Sequence, residues 1–168
     1  MKKKYLAISL ESTEGFFKEA LMLAKRAEAE DEVPVGAVIV QSEKIVGRGY
    51  NRREQDQDPL AHAEIMAILE AARSLGSWRL EGCTVFVTLE PCPMCLAALQ
   101  QARVERVVFG TKDPKGGALS LGYKFNDDSR MHHRFAVEEI GYPPGARILK
   151  EFFARKRAEK RAGSSTPR

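Results

Sequence analysis

A chain of 168 residues that is 43% hydrophobic and 30% charged has the make-up of one ordinary globular domain, neither disordered nor fibrous. No apolar stretch nears the roughly 20 residues of a membrane span, and a net charge of +4 is too mild to imply a partner before its distribution is known. Three cysteines, Cys83, Cys92 and Cys95, are too few and too odd in number for a disulfide framework, so a reducing, cytoplasmic setting is expected. The start Met1-Lys2-Lys3-Lys4 imitates a signal peptide, but its apolar run ends by Glu11, too soon for a secretory core.

Residues 13–31 carry Phe16, Phe17, Ala20, Leu21, Ala24 and Ala27 at helical spacing, which predicts an amphipathic helix capped by Ser12 or Thr13. Pro34 makes helical geometry unfavourable at Val33. Two strands follow, 36–40 and 44–50, joined by a polar turn at 41–43. A polar loop, 51–59, leads to a second helix over 61–75 with Ile65, Ile68, Leu69 and Ala72 as its expected buried stripe and Gly76 as its stop. Thr84–Thr88 reads as a central strand, 92–102 as a third helix and 104–109 as another strand. Residues 113–126 read as a loop and 136–140 as a last strand. A rigid turn is expected at Tyr142-Pro143-Pro144-Gly145, then a basic helix over about 147–161 and a disordered tail, 163–168. This alternation predicts a single α/β layered domain, residues 1–162, with a partly parallel sheet.

The chemistry concentrates between His62 and Cys95. His62-Ala63-Glu64 and, thirty residues on, Pro91-Cys92-Pro93-Met94-Cys95 supply three zinc-type ligands and one carboxylate. Three protein ligands leave a fourth tetrahedral position for water, as in a catalytic rather than a structural zinc site. Cys92 and Cys95, at i and i+3, share one helix face. Pro91 and Pro93 fit only at or before a first turn, so both thiols fall at the positive end of a helix, which favours thiolate. His62 stands likewise after Asp58-Pro59 at the start of its own helix. One Zn²⁺ with two thiolates is formally neutral and acidifies water less than an all-histidine site. A base is then needed, and Glu64 is the candidate for taking a proton from the activated water and passing it to the substrate. The product would be a carbonyl and ammonia. Other readings of the same residues are a redox CxxC pair, which expects a thioredoxin-like context that flanking prolines do not provide, and a structural site completed by His132 and His133, which leaves His-x-Glu unexplained. Cys83 reads as a buried structural thiol. In the last helix, Phe152 and Phe153 beside Arg155, Lys156 and Arg157 combine apolar docking, stacking and phosphate pairing, which points to nucleic acid.

His62-Ala63-Glu64-Ile65-Met66-Ala67 and Thr88-Leu89-Glu90-Pro91-Cys92-Pro93-Met94-Cys95 follow the H-x-E…P-C-x-x-C signature of zinc nucleobase deaminases. They resemble the bacterial tRNA-specific adenosine deaminases of the cytidine deaminase-like superfamily. Val33–Val38, Gly49-Tyr50-Asn51-Arg52, Asp58-Pro59, Val108-Phe109-Gly110, Asp113 and Phe152–Arg155 extend the likeness over residues 14–158. The resemblance implies a three-layer α/β/α cytidine-deaminase-like fold, with a mixed five-stranded sheet between helices, and a homodimer. It implies that His62, Cys92 and Cys95 bind Zn²⁺ and that Glu64 shuttles protons while the wobble adenosine of an arginine tRNA anticodon loop becomes inosine. Asn51 would hydrogen-bond the flipped base, Asp113 would lie in a substrate-side loop with Lys115-Gly116-Gly117, His133 near the floor, and Phe153 and Arg155 against RNA. Two departures stand out. Leu60 occupies a usual threonine position, and Gly141–Gly145 replaces an acidic turn that starts the family's last helix, so a shortened or re-angled helix is expected. Free-base or nucleotide deaminases (of cytosine, guanine or deoxycytidylate) share the zinc motif. A non-catalytic RNA-binding subunit would be expected to lack Glu64.

Overall fold

The computed structural model describes residues 9–163; the signal-like start and most of the expected tail lie outside them. Five strands form one sheet in the order β2-β1-β3-β4-β5. They are β1 (Gly36–Gln41), β2 (Lys44–Tyr50), β3 (Thr84–Val87), β4 (Arg106–Phe109) and β5 (Ala136–Glu139). β1 runs antiparallel to β2 and β3, while β3, β4 and β5 are mutually parallel. The sheet is therefore mixed, as expected. The β1–β2 turn places Ser42 and Glu43 at φ 49° and 61°, the doubly left-handed geometry that matches the twist of a two-residue hairpin.

Strand alternation divides the core into two layers. Ala37, Ile39, Val85, Val87, Val107 and Phe109 face one cluster with α3 (Ala63–Leu75) and α4 (Pro93–Gln101). Val38, Val40, Phe86 and Val108 face the other, where Phe17 of α1 (Leu10–Ala29) and Tyr142 pack. Phe17 meets Phe86 edge-on at 5.7 Å between centroids, a pair that adds to ordinary area burial. The three-layer expectation holds.

Several local expectations are corrected. The first helix begins at Leu10 and is capped by Ser9, whose side chain accepts from the Ser12 N–H, not by Ser12 or Thr13. A short helix, α2 (Arg53–Asp56), sits inside the polar loop. The buried stripe of α3 is Ala63, Ala67 and Ala71, and Leu69 is 44% exposed. The reason is close approach: a Cβ at Gly49 would lie 2.1 Å from the Ala63 carbonyl, and one at Gly47 2.4 Å from that of Ala67. Helix and strand fit together only through small residues, and the branched side chains are displaced to the flanks. Gly76 does end α3, at φ 62°. The last helix, α5, runs Pro143–Gly163, not from 147. Both prolines occupy its first turn, where a missing N–H costs nothing, and the reversal falls on Gly141 at φ 64°. The helix is 21 residues long, so the altered segment does not shorten it.

Candidate metal and catalytic site

The carboxyl ends of β3 and β4, the start of β1 and the end of β2 all lie at one edge of the sheet. Ligand sites in open α/β sheets form outside the carboxyl ends of the strands, where the strand order changes direction. Here β3 leads to Cys92 and β4 to Asp113, and Asn51 directly follows β2. All three, with His62, Glu64 and Glu90, line one cavity of about 270 Å³ that also touches Val33, Val35, Arg53 and Gly116.

His62 is the N-cap of α3 and Cys92 the N-cap of α4, each extended, and neither spends its side chain on a capping bond. Pro93 opens α4 and Cys95 follows one turn after Cys92. Two helix starts thus present three donor atoms to one point. His62 Nδ1 lies 3.6 Å from Cys92 Sγ and 3.5 Å from Cys95 Sγ. A tetrahedral zinc with bonds of about 2.0 Å to nitrogen and about 2.3 Å to sulfur separates those atoms by roughly 3.5 Å. The donor set and its spacing therefore fit a single Zn²⁺, and among the described residues it is the one such cluster of histidine, cysteine and carboxylate groups. A site completed by His132 and His133 is not what the chain builds.

The thiols are electrostatically unequal. Cys92 is pulled down to about 4, first by the hydrogen bond from Cys95 and then by that from His62. Cys95 is pushed up, first as donor to Cys92 and then by burial. Partnering within the pair, more than the helix ends, sets this difference. Without metal the two sulfurs hold one proton between them, which ligation must expel because both bind as thiolates. Glu64, buried in the first turn of α3, is raised to about 7, chiefly by burial. A carboxyl poised near neutrality beside a metal site suits a group that both takes and gives a proton. Cys83 is raised to about 11 by burial and is an inert core thiol.

Other expected residues fall in three places. Asn51 is 6% exposed, lines the cavity and donates Nδ2 to Glu32 at 3.3 Å. Asp113 stands on the rim, its Oδ1 accepting from the N–H groups of Lys115 and Gly116. His133 is not brought to the cavity; its Nε2 contacts the Val104 carbonyl at 2.6 Å, before β4 and at the opposite edge of the sheet. Phe153 is 44% exposed on α5, and Arg155 is paired with Asp31 and Glu159. Phe152 and Lys156 line a groove that shares Val33, Asn51 and Arg53 with the cavity, so α5 borders its mouth.

Two buried carboxylates escaped the sequence reading. Glu90 is 3% exposed and accepts from the Asp113 N–H, the Ser120 N–H and the Ser120 hydroxyl, which pins the rim loop. Glu32, 1% exposed, closes the acidic run Glu30-Asp31-Glu32 that ends the periodic pattern of the first helix. Glu90 lies inside the very motif that was quoted, and its position between a strand and a ligand cysteine was the available signal. Glu32 carried none, because its partners lie 19 and 23 residues away.

A three-donor metal position with a buried carboxyl beside it, at the end of a mixed sheet, is the arrangement of a zinc-dependent hydrolytic deaminase. Residues 10–111 match the family model of the cytidine and deoxycytidylate deaminase zinc-binding region. A tRNA-specific adenosine deaminase of Bacillus subtilis is 45% identical over 155 residues, 89% of this chain and 93% of the relative. One from Aquifex aeolicus is 43% identical over 86% of this chain and 95% of its own. A solved structure from studies of A-to-I editing by tRNA:A34 deaminases superposes with a TM-score of 0.77 at 42% identity, covering 81% of this chain and 99% of that one. The B. subtilis guanine deaminase reaches a TM-score of 0.58 at 31% identity, over 86% and 93% of the two chains. The chain belongs to the tRNA-specific adenosine deaminase family.

Proposed function

We propose that this protein hydrolyses the wobble adenosine of a tRNA anticodon to inosine, with His62, Cys92 and Cys95 holding one Zn²⁺. The observation that carries the reading is the three-donor cluster with Glu64 buried beside it in the cavity that Asn51 and Asp113 also line. When bound, zinc supplies the Lewis acidity that makes water nucleophilic near neutral pH. Glu64 takes a proton from the attacking water and delivers it to ring N1, then takes the second proton from the new C6 hydroxyl and gives it to the departing amine. The C–N bond at C6 breaks, a C–O bond replaces it, and ammonia leaves. Asn51 hydrogen-bonds the base through an amide that both donates and accepts. Asp113, with its loop tied to Glu90, bounds the rim. An anticodon loop suits this cavity because its bases are already unpaired and cheap to extrude.

The substrate tRNA is an arginine tRNA, the protein acts in the cytoplasm, and it works as a homodimer; the family likeness supports all three. Leu60 and Leu69, 54% and 44% exposed before and on α3, supply apolar surface for a second copy. Against a free-base enzyme stands α5, where the buried Phe152 anchors one stripe whose Lys156 and Lys160, four residues apart, lead outward from the groove at the cavity mouth. Phe153 and Arg157 form a second. A small-molecule deaminase has no use for such a face. The test measures inosine at the wobble position of an ACG-anticodon arginine tRNA beside free adenosine, cytidine, cytosine and guanine. Inosine in the tRNA alone is expected. Turnover of a free base with none on tRNA would overturn the substrate while leaving the chemistry in place.

A further inference from the structure

Glu32 is the deeply buried carboxylate beside the cavity that the mechanism above does not use. It is 1% exposed, and its two oxygens have separate partners. Oε1 accepts the Gln55 backbone N–H at 2.8 Å, and Oε2 accepts Asn51 Nδ2 at 3.3 Å. The first contact is fixed in direction, since a backbone N–H can only donate. It also serves the start of α2, where Arg52 makes no capping bond of its own. The second contact fixes Asn51. An amide turned by 180° about its last bond fills almost the same volume with oxygen and nitrogen exchanged, so packing alone does not choose between the two orientations. A carboxylate chooses, because it only accepts.

We infer that Glu32 is a positioning residue that sets the hydrogen-bond polarity of Asn51 toward the base. With Nδ2 held by Glu32, the amide oxygen and the remaining Nδ2 hydrogen are the groups left for the cavity. Base recognition then has a fixed donor–acceptor pattern before substrate arrives, and binding does not have to select an orientation. The inference rests on the reading that Asn51 contacts the base.

Glu32→Gln is the sharpest variant. Its Oε1 must still accept from the Gln55 N–H, so its Nε2 faces Asn51 and turns that amide round. The cavity then offers reversed polarity at unchanged volume. A site built to hydrogen-bond a substrate discriminates strongly when a partner is mismatched, and kcat is expected to fall about 10- to 100-fold on tRNA. The KM for tRNA, set by the wider RNA surface, should stay within about twofold, with zinc content and fold unchanged. In an Asn51→Ala background the same substitution should cost nothing further. Losses that multiply across the two sites, or a Glu32→Gln enzyme of normal kcat while Asn51→Ala is impaired, would overturn the inference. An unimpaired Asn51→Ala enzyme would instead overturn the reading of Asn51 as a base contact.

Stability gives an independent check. Asn51→Asp sets a second carboxylate against Glu32, and adding Glu32→Gln supplies the missing donor. Glu32→Gln should therefore raise the Tm of the Asn51→Asp protein while lowering that of the wild type. An effect of one sign in both backgrounds would show that the two side chains do not set each other.

Discussion

At the cavity floor the three metal donors and Glu64 are buried or half-buried and are placed by the start of a helix, whereas on α5 the charged side chains stand mostly in water and are placed by ion pairs. His62 and Cys92 are N-caps, and Glu64 and Cys95 follow within a turn. Their geometry is rigid because α3 is clamped to β2 through Ala63, Ala67 and the glycines opposite them. Arg155 and Lys156 reach Asp31 just past the end of α1, beyond the buried Ile148, Leu149 and Phe152 that pack α5 on the body. The first arrangement meets the tolerance of bond making, where a displacement of 1 Å is costly. The second suits a long, charged, deformable partner, for which attraction matters more than exact placement.

The largest effect should come from the floor. Glu64→Gln removes the proposed proton carrier at constant shape, and single-turnover inosine formation should fall by about 10²- to 10⁴-fold, with zinc retained by elemental analysis. Near-normal turnover would refute the proton-carrier role. Stripping the metal with a chelator should abolish activity and lower the Tm, because the ion ties two helix starts together. Its return should release protons, since the Cys95 thiol must ionise; titration calorimetry in buffers of different ionisation enthalpy measures the number. Zero release would mean that Cys95 is not a ligand.

The same contrast decides what the sequence could reveal. The ligands and Glu64 were legible because each lies within three residues of a partner or of a helix start, and proline placement fixed the register. The alternation of strand residues gave the sheet for the same local reason. What escaped was set by distance. Gly47 and Gly49 demand an alanine stripe on α3, but periodicity cannot see a neighbouring strand, so Leu69 was assigned inward. His133 was drawn to the site by the family likeness, yet Val104 holds its ring elsewhere. Glu32 and Asp31, adjacent in an acidic run, serve Asn51 and α5 respectively, and no pattern in that run separates them. Pro143 and Pro144 read as a turn; only the reversal at Gly141 frees them to start a helix.

Effects on the RNA side should be smaller and should change with salt. Arg157→Gln with Lys160→Gln removes two charges from the α5 stripes. The KM for tRNA should rise, and the slope of log affinity against log salt should become shallower by up to about two. Deamination within the bound complex should be unchanged. A fall in single-turnover rate at saturating enzyme would place these residues in the chemistry instead. Phe153→Ala removes an exposed ring whose stacking on a base is worth about 1–3 kcal/mol. A rise in KM of about tenfold with an unaltered Tm is expected. A lowered Tm would make Phe153 a packing residue.

The smallest effect isolates the anchor of α5. Asp31 sits at φ 62°, a conformation that asparagine tolerates as well as aspartate, so Asp31→Asn changes charge without backbone strain. The Asp31 carboxyl is held below its usual 3.8, first by the hydrogen bond from Lys156 and then by that from Arg155. A depressed carboxylate contributes stability that is fully present above its unfolded pKa and is lost as pH falls through the folded one. Wild type should therefore exceed Asp31→Asn slightly in Tm at pH 6, and the gap should close as pH falls through the lowered folded pKa of Asp31. Because these groups are exposed, the gap should also shrink as salt is added. Single-turnover inosine formation in tRNA at saturating enzyme should be indifferent to the substitution, while the KM for tRNA should rise a few-fold as α5 loosens. If KM and its salt dependence are untouched, the Asp31 pairs are not what sets α5 at the cavity mouth, and the packing of Ile148, Leu149 and Phe152 holds it.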